Sequence, residues 1–164
     1  MVAPASPPAA QQDDSFALLI RLLKLGSFIN APMKDGVCDP SGISQIELKV
    51  LMALAGEGAL AGHDLVEIMG VPAMNVSRAL ATLRDKGWIE DAQDPDNRRR
   101  RPVRLSAEGE EAYARTLPAA QQVAEDLLGN LSPRQRRDLA QLSDKVIANM
   151  TAWIRAHHEG VKLG

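Results

Sequence analysis

The chain is poor in cysteine and in aromatic residues. Cys38 is its only cysteine among 164 residues, which rules out an intramolecular disulfide and with it a disulfide-stapled secreted scaffold. Aromatic residues make up 3%, so Leu, Ala, Val and Ile must supply the packing, a composition that favours helices. No uninterrupted apolar run reaches the roughly 18 residues of a membrane span. Residues 1–12 lack the basic start and apolar stretch of a signal peptide. Rich in Ala and Pro, they are expected to form a disordered arm on a cytoplasmic protein. Histidine is scarce too, with His63, His157 and His158 alone. Adjacent helical residues point about 100° apart, so His157 and His158 cannot easily face one metal, and no Cys/His/carboxylate ligand cluster exists. A Gly-rich phosphate loop and a nucleophile motif are both missing. Neither an enzyme nor a cofactor is expected.

Positive charge is also in short supply overall, the formal net charge being −2. It is concentrated instead: Arg98, Arg99, Arg100 and Arg101 are consecutive, with Arg104 close behind. A local patch matters more than net charge for a specific partner. With 45% apolar residues the chain can build a real core.

A first helix is expected from the capping residues at 13–15 to about residue 30. Phe16, Leu19, Ile20 and Leu23 form one face and Leu18, Leu22, Leu25 and Ile29 the opposite one. A helix apolar on both faces is buried on both, and a second subunit is the expected second surface. A Pro-, Gly- and Asp-rich loop should follow over 31–42, then a helix over 43–55 stopped by Gly56 and Gly58. A short helix over 62–69 should end at Gly70 in a left-handed cap. Pro72 opens a helix over 73–86, closed by Gly87. Two helices joined by so short a turn make a helix-turn-helix candidate. Strands over 88–93 and 100–105 flank the turn Asp94-Pro95-Asp96-Asn97, with Pro102 restricting the second to an edge or an irregular start. Such a hairpin after a recognition-type helix is a wing. Ser106 caps a helix to about Leu128, with Pro118 a candidate kink. Ser132-Pro133 open a last helix whose Leu139, Leu142, Val146, Met150 and Trp153 recur at helical spacing.

On the 73–86 helix, Val76, Ala79, Leu80 and Leu83 share an inward face. Met74, Ser77, Arg78 and Ala81 lie opposite, with Asn75 to one side and Asp85 nearer the C-terminal end. The N-terminal residues of a recognition helix enter the major groove, where Arg reads guanine and Asn reads adenine. Arg98, at or beside the wing tip, suits a narrow minor groove. Arg100, Arg101 and Arg104 would add phosphate contacts or plain surface charge.

Asp94-Pro95-Asp96-Asn97-Arg98-Arg99, then Val103-Arg104-Leu105-Ser106 and Gly109, resemble the wing pattern of the MarR family of transcription regulators. The resemblance extends upstream through 65–70, Val76-Ser77-Arg78 and 83–87, and downstream to Leu131-Ser132-Pro133, covering nearly everything from Ile43 to Ile154. It implies a mainly α fold: a winged helix-turn-helix unit over 43–105 with a two-stranded wing, and a helical dimerisation region from both termini, 13–42 and 106–158. It implies a homodimer on pseudo-palindromic double-stranded DNA, a repressor relieved by a small ligand. Its expected DNA contacts are Met74, Asn75, Ser77, Arg78, Arg98, Arg99 and Arg100. One departure is Asn97, where the family has Asp. An acid there would pair with Arg99, and Asn offers only a neutral hydrogen bond. Either the wing is less rigid or Asp96 takes the acid's place.

Many relatives in that family respond to aromatic carboxylates or phenolic compounds, so such an effector is expected here. Ser27 and Asn30 are polar on the Phe16–Ile20–Leu23 face, where the pattern asks for apolar residues. Either they hydrogen-bond the nearby backbone, or they orient a ligand covered by Phe28, with Arg21 or Lys24 as counter-charge. The competing function is a thiol-based redox switch on Cys38. Its only basic neighbour is Lys34, and a reactive thiol needs a depressed pKa and exposure. A plain loop cysteine is the preferred reading.

Overall fold

A computed structural model describes residues 13–97 and 99–159; the arm expected over 1–12 and the tip residue Arg98 lie outside them. Helices dominate. Helix α1 (Asp13–Phe28) is followed by α2 (Asn30–Met33), a π-helical turn (Lys34–Cys38) and α3 (Asp39–Ser41). Then come α4 (Gln45–Glu57), α5 (Gly62–Met69), α6 (Ala73–Asp85), β1 (Ile89–Asp91), β2 (Val103–Leu105), α7 (Ala107–Leu128) and α8 (Pro133–Glu159).

Local chemistry sets most of these boundaries. Ser44 and Glu47 form a reciprocal capping box at the start of α4, the Ser44 hydroxyl accepting from the Glu47 N–H at 3.1 Å. Gly70 ends α5 at φ 61°, in the left-handed region that a side chain disfavours. Ser106 caps α7 by accepting from the Gly109 N–H, and it donates to the Gly87 carbonyl at 2.6 Å. Ser132 and Gln135 cap α8 in the same reciprocal manner.

The expected loop over 31–42 is instead helical, continuing the line of α1 to Ser41. Burial overrides the breaker composition. Val37 and Cys38 are buried in the core, and Gly36 lies so close to α7 that an added Cβ would meet Val123 at 2.6 Å. Pro32 and Pro40 lie in the short α2 and α3 stretches of this helical run. Cys38 is therefore a core helix residue and not a loop one. The resulting helix, Asp14–Ser41, is by length and composition long enough to cross a membrane, which the uninterrupted apolar runs alone do not suggest. Arg21 and Lys24 interrupt it.

The two strands pair antiparallel with Ile89 opposite Leu105, Glu90 opposite Arg104 and Asp91 opposite Val103. They are shorter than expected because Pro102 has no N–H to extend the ladder. Leu60 and Val103 exchange backbone hydrogen bonds of 3.0 and 2.9 Å, so β2 is also tied to the segment between α4 and α5. At the start of α7, a Cβ on Gly109 would stand 1.8 Å from the Trp88 carbonyl oxygen. Only glycine lets the helix approach the hairpin so closely.

One core joins Val37, Cys38, Leu48, Leu51, Leu54, Leu65, Val76, Leu83, Ile89, Val103 and Val123 with their neighbours. It crosses the division expected at residue 42. Helices α1 and α8 contribute nothing to it among the described residues. Phe16, Leu19, Ile20 and Leu23 are exposed, and so are Leu18, Leu25 and Ile29 on the opposite face. Leu142, Ile147, Met150 and Trp153 of α8 are exposed as well. Within one subunit neither helix finds the surface its pattern calls for.

Candidate nucleic-acid interface

Helix α6 buries Val76, Ala79 and Leu83 and half-buries Leu80, as its periodicity requires. Met74, Ser77 and Arg78 are consequently turned outward and exposed, and Asn75 is half-buried at the edge. Met74 is 65% exposed. The far end of α6 is fixed in two places. Lys86 places its ammonium 2.9 Å from the buried Glu47 carboxylate, and Arg84 pairs with Asp91 of β1 at 3.0 Å. Gly87, at φ 72°, turns the chain into the hairpin.

The wing turn is organised by Asp94. Its Oδ1 accepts from the backbone N–H groups of Asp96 (3.0 Å) and Asn97 (3.2 Å), and its Oδ2 faces the Arg100 guanidinium at 3.2 Å. The Asp96 N–H first, then Arg100 and the Asn97 N–H, outweigh desolvation and hold the Asp94 carboxyl below the usual carboxylate range. Arg100 also pairs with Asp64 on α5. Burial by itself would raise the Asp64 carboxyl. The Ala61 N–H at 2.7 Å, Arg100 and His63 more than reverse this, and it too is held low.

These contacts correct the expected pairing. Asn97 accepts a hydrogen bond from the Arg99 backbone N–H at 3.0 Å, not from its guanidinium, and Asp96 makes no ion pair among the described residues. The arginine that braces the wing is Arg100, which was expected to give phosphate contacts or plain surface charge; the acids are Asp64 and Asp94. Arg104 pairs with Glu90 across the ladder. Among the described residues Arg78, Arg99 and Arg101 make no ion pair, and all three are exposed. A groove of about 620 Å³ between the start of α5 and the wing is lined by Gly62, His63, Asn97, Arg99 and Arg101, among others. His63 also borders a hollow against Ala73 and Ser77 of α6. The outward face of α6 and the wing cations thus flank the same edge of α5.

The expected ligand residues are all on or just beyond α1. Arg21, Lys24, Ser27, Phe28 and Asn30 are exposed. The Ser27 hydroxyl donates to the Leu23 carbonyl at 3.0 Å and the Asn30 amide to the Gly26 carbonyl at 3.1 Å, the backbone alternative of the two readings. The Lys24 ammonium lies 5.4 Å from the Phe28 ring centre. Cys38 is 1% exposed. Burial, with Asp39 and Glu47 nearby, pushes its thiol up against the weaker opposing effect of Lys34.

Three comparisons bear on the assignment. The MarR family model matches residues 41–100. The transcriptional regulator HosA of Escherichia coli O111:H- is 29% identical over 105 residues, 64% of this chain and 78% of HosA. Among solved structures, Bordetella bronchiseptica BpsR, whose DNA binding is regulated by 6-hydroxynicotinic acid, superposes with a TM-score of 0.65 at 23% identity, over 79% of this chain and 98% of that one. A mutant Escherichia coli MarR complexed with operator DNA gives a TM-score of 0.63 at 20% identity, over 85% and 99%. The matched segment runs from the end of α3 to the wing arginines, and the surrounding helices follow the same fold. Residues 41–100 match the MarR family of transcription regulators, and the chain shares the winged helix-turn-helix fold of MarR-family structures.

Proposed function

We propose that this chain is a homodimeric, ligand-responsive repressor that binds a pseudo-palindromic duplex operator in the cytoplasm. The observation that carries the DNA-binding part is the pairing of an outward α6 face (Met74, Ser77, Arg78) with the exposed wing cations Arg99 and Arg101. Helix α6 has the amphipathic form of a helix that lies in the major groove, Arg78 and Asn75 being the side chains that read base edges. The wing cations contact phosphate, and Arg98 takes the tip position assigned to it by sequence. Catalysis has no part in this reading.

Homodimerisation is supported by the apolar faces of α1 and α8. Contiguous exposed apolar surface of that size marks an interaction site, and two copies related by a two-fold axis would cover it with like surface. Such a dimer sets its recognition helices about one DNA turn apart.

For the effector we favour a small aromatic carboxylate, a class to which the 6-hydroxynicotinic acid of BpsR belongs. Arg21 and Lys24 supply the counter-charge and Phe28 the ring contact, in a site completed by the partner subunit. The Ser27 and Asn30 side-chain oxygens can accept from a ring hydroxyl, and the second Asn30 amide N–H is left to donate to the ligand. A redox switch on Cys38 is disfavoured by the burial of its sulfur.

The test is selection of duplexes from a random pool by the full-length protein, with light scattering on the same sample. A dimer that enriches one two-fold symmetric site, and releases it on adding a benzoate, hydroxybenzoate or pyridine carboxylate, supports the proposal. A folded monomer at micromolar concentration that enriches nothing defeats it.

A further inference from the structure

The hairpin is anchored well at its base and weakly beyond it. Three residue pairs and the Leu60–Val103 bridge hold the base. Farther out, the described backbone bonds are those from the Ala92 N–H to the Pro102 carbonyl and from the Arg100 N–H to the Asn97 carbonyl. Side chains supply the other connection. Arg100 forks between Asp94 in the wing turn and Asp64 in the first turn of α5, and both carboxylates are largely buried, at 13% and 19% exposure. The Arg100 Nε is buried without a hydrogen-bond partner, so the fork accounts for its polar contacts. Helix α5 packs directly on α6. Besides the direct junction of α6 with β1, a second path from the wing turn to the recognition helix therefore runs Asp94–Arg100–Asp64–α5–α6.

We propose that Arg100 and Asp64 are positioning residues for DNA binding: together they lock the wing onto α5 and fix the reach from Arg99 and Arg101 to the α6 face. The proposal rests on the DNA-binding reading above. It also makes a prediction of unusual sign. Neutralising an acid at an anion-binding surface should strengthen binding by simple electrostatics. Here Asp64→Asn weakens it, although asparagine still accepts the Ala61 N–H and preserves the α5 cap.

The experiment compares full-length parent, Asp64→Asn, Arg100→Gln, their double variant and Arg100→Lys. Amide hydrogen exchange over 92–102 is read in free protein, and affinity is read on the selected operator duplex, with a thermal melt as the folding control. Each single variant should exchange its wing amides tenfold or more faster and lose at least tenfold in affinity. The double variant should be no worse than Arg100→Gln, because that substitution already breaks both arms of the fork and Asp64→Asn then removes no further pair. Arg100→Lys, a point charge that cannot fork between two acids, should fall between parent and Arg100→Gln. If Asp64→Asn fails to fold, Arg100→Lys and Asp94→Asn carry the same comparison. Unchanged wing exchange, or Asp64→Asn binding as tightly as the parent, overturns the proposal. Failure of the DNA-binding reading shows separately, in a parent that binds no duplex, and takes the positioning role with it.

Discussion

The ammonium of Lys86, just past the end of α6, lies 2.9 Å from the Glu47 carboxylate in the first turn of α4, and it also lies over the Trp88 ring at 4.9 Å from its centre. Glu47 is 8% exposed, so removing its counter-ion strands a carboxylate in the interior. Lys86→Ala should cost about 1.5–3 kcal/mol, in the range of hydrogen bonds to charged groups. Urea unfolding with an unchanged m-value measures it. A loss below a few tenths of a kcal/mol would show that the pair is solvent-screened and structurally idle.

Glycine substitutions should separate close approach from free space. Gly109→Ala drives a methyl into the Trp88 carbonyl and should destabilise by about 1–3 kcal/mol or more, as overpacking does. Gly56 lies inside α4 and an added Cβ meets nothing within 4 Å. Gly56→Ala should be stabilising by about 0.4–1 kcal/mol through the unfolded state. Calorimetric melting of both variants gives the two signs directly.

On DNA, Arg78→Ala should cost about 1–3 kcal/mol and relax specificity at one base pair per half-site. Arg99→Ala should weaken binding across sequences and flatten the salt dependence, with roughly one fewer counterion released for each phosphate that its side chain no longer neutralises. The check is a salt titration on operator and scrambled duplexes. Equal losses on both duplexes for Arg78→Ala would move it from the base-reading group to the phosphate-binding one.

Acid should loosen the wing before it unfolds the chain. The folded Asp64 carboxyl is held low, so it binds its proton less readily than in the unfolded chain. Its stabilising contribution is complete above the unfolded value, about pH 4, and is lost as pH falls through the folded one. Near neutral pH the stability gap between parent and Asp64→Asn should be open. Below about pH 4 it should close. A gap that stays open in acid would mean that the Asp64 charge is not what the wing uses.

Cys38 should be silent toward oxidants. With its thiol buried and pushed up, maleimide labelling of the native protein should be slow and become fast only in denaturant. Operator release by peroxide, present in the parent and absent in Cys38→Ser, would reinstate the redox switch.

Much of the DNA-binding unit is legible in the sequence because its signals are local. Gly70, Gly87, Ser106 and Ser132-Pro133 act within a few residues of themselves, and the 3.6-residue period of α6 sorts inward from outward side chains. The 31–42 segment has the composition of a loop, yet its fate depends on Val123, more than eighty residues away, and on burial of Val37 and Cys38. Sequence alone does not tell Arg99 from Arg100 for a similar reason. The deciding partner of Arg100 is Asp64, 36 residues upstream, on an element whose angle to the hairpin no local pattern encodes.

The two tryptophans sit in mechanically different parts of the molecule. Trp88 is half-buried where α6 turns into the wing, under the Lys86 ammonium. Trp153 is 61% exposed on α8 and stacks on His157 at 3.9 Å between ring centres. Their emission is therefore a built-in pair of reporters. A water-facing indole emits to the red, and covering Trp153 with a second subunit should shift that component to the blue. Replacing each in turn with phenylalanine would let one spectrum follow assembly and the other follow the wing, with no added dye.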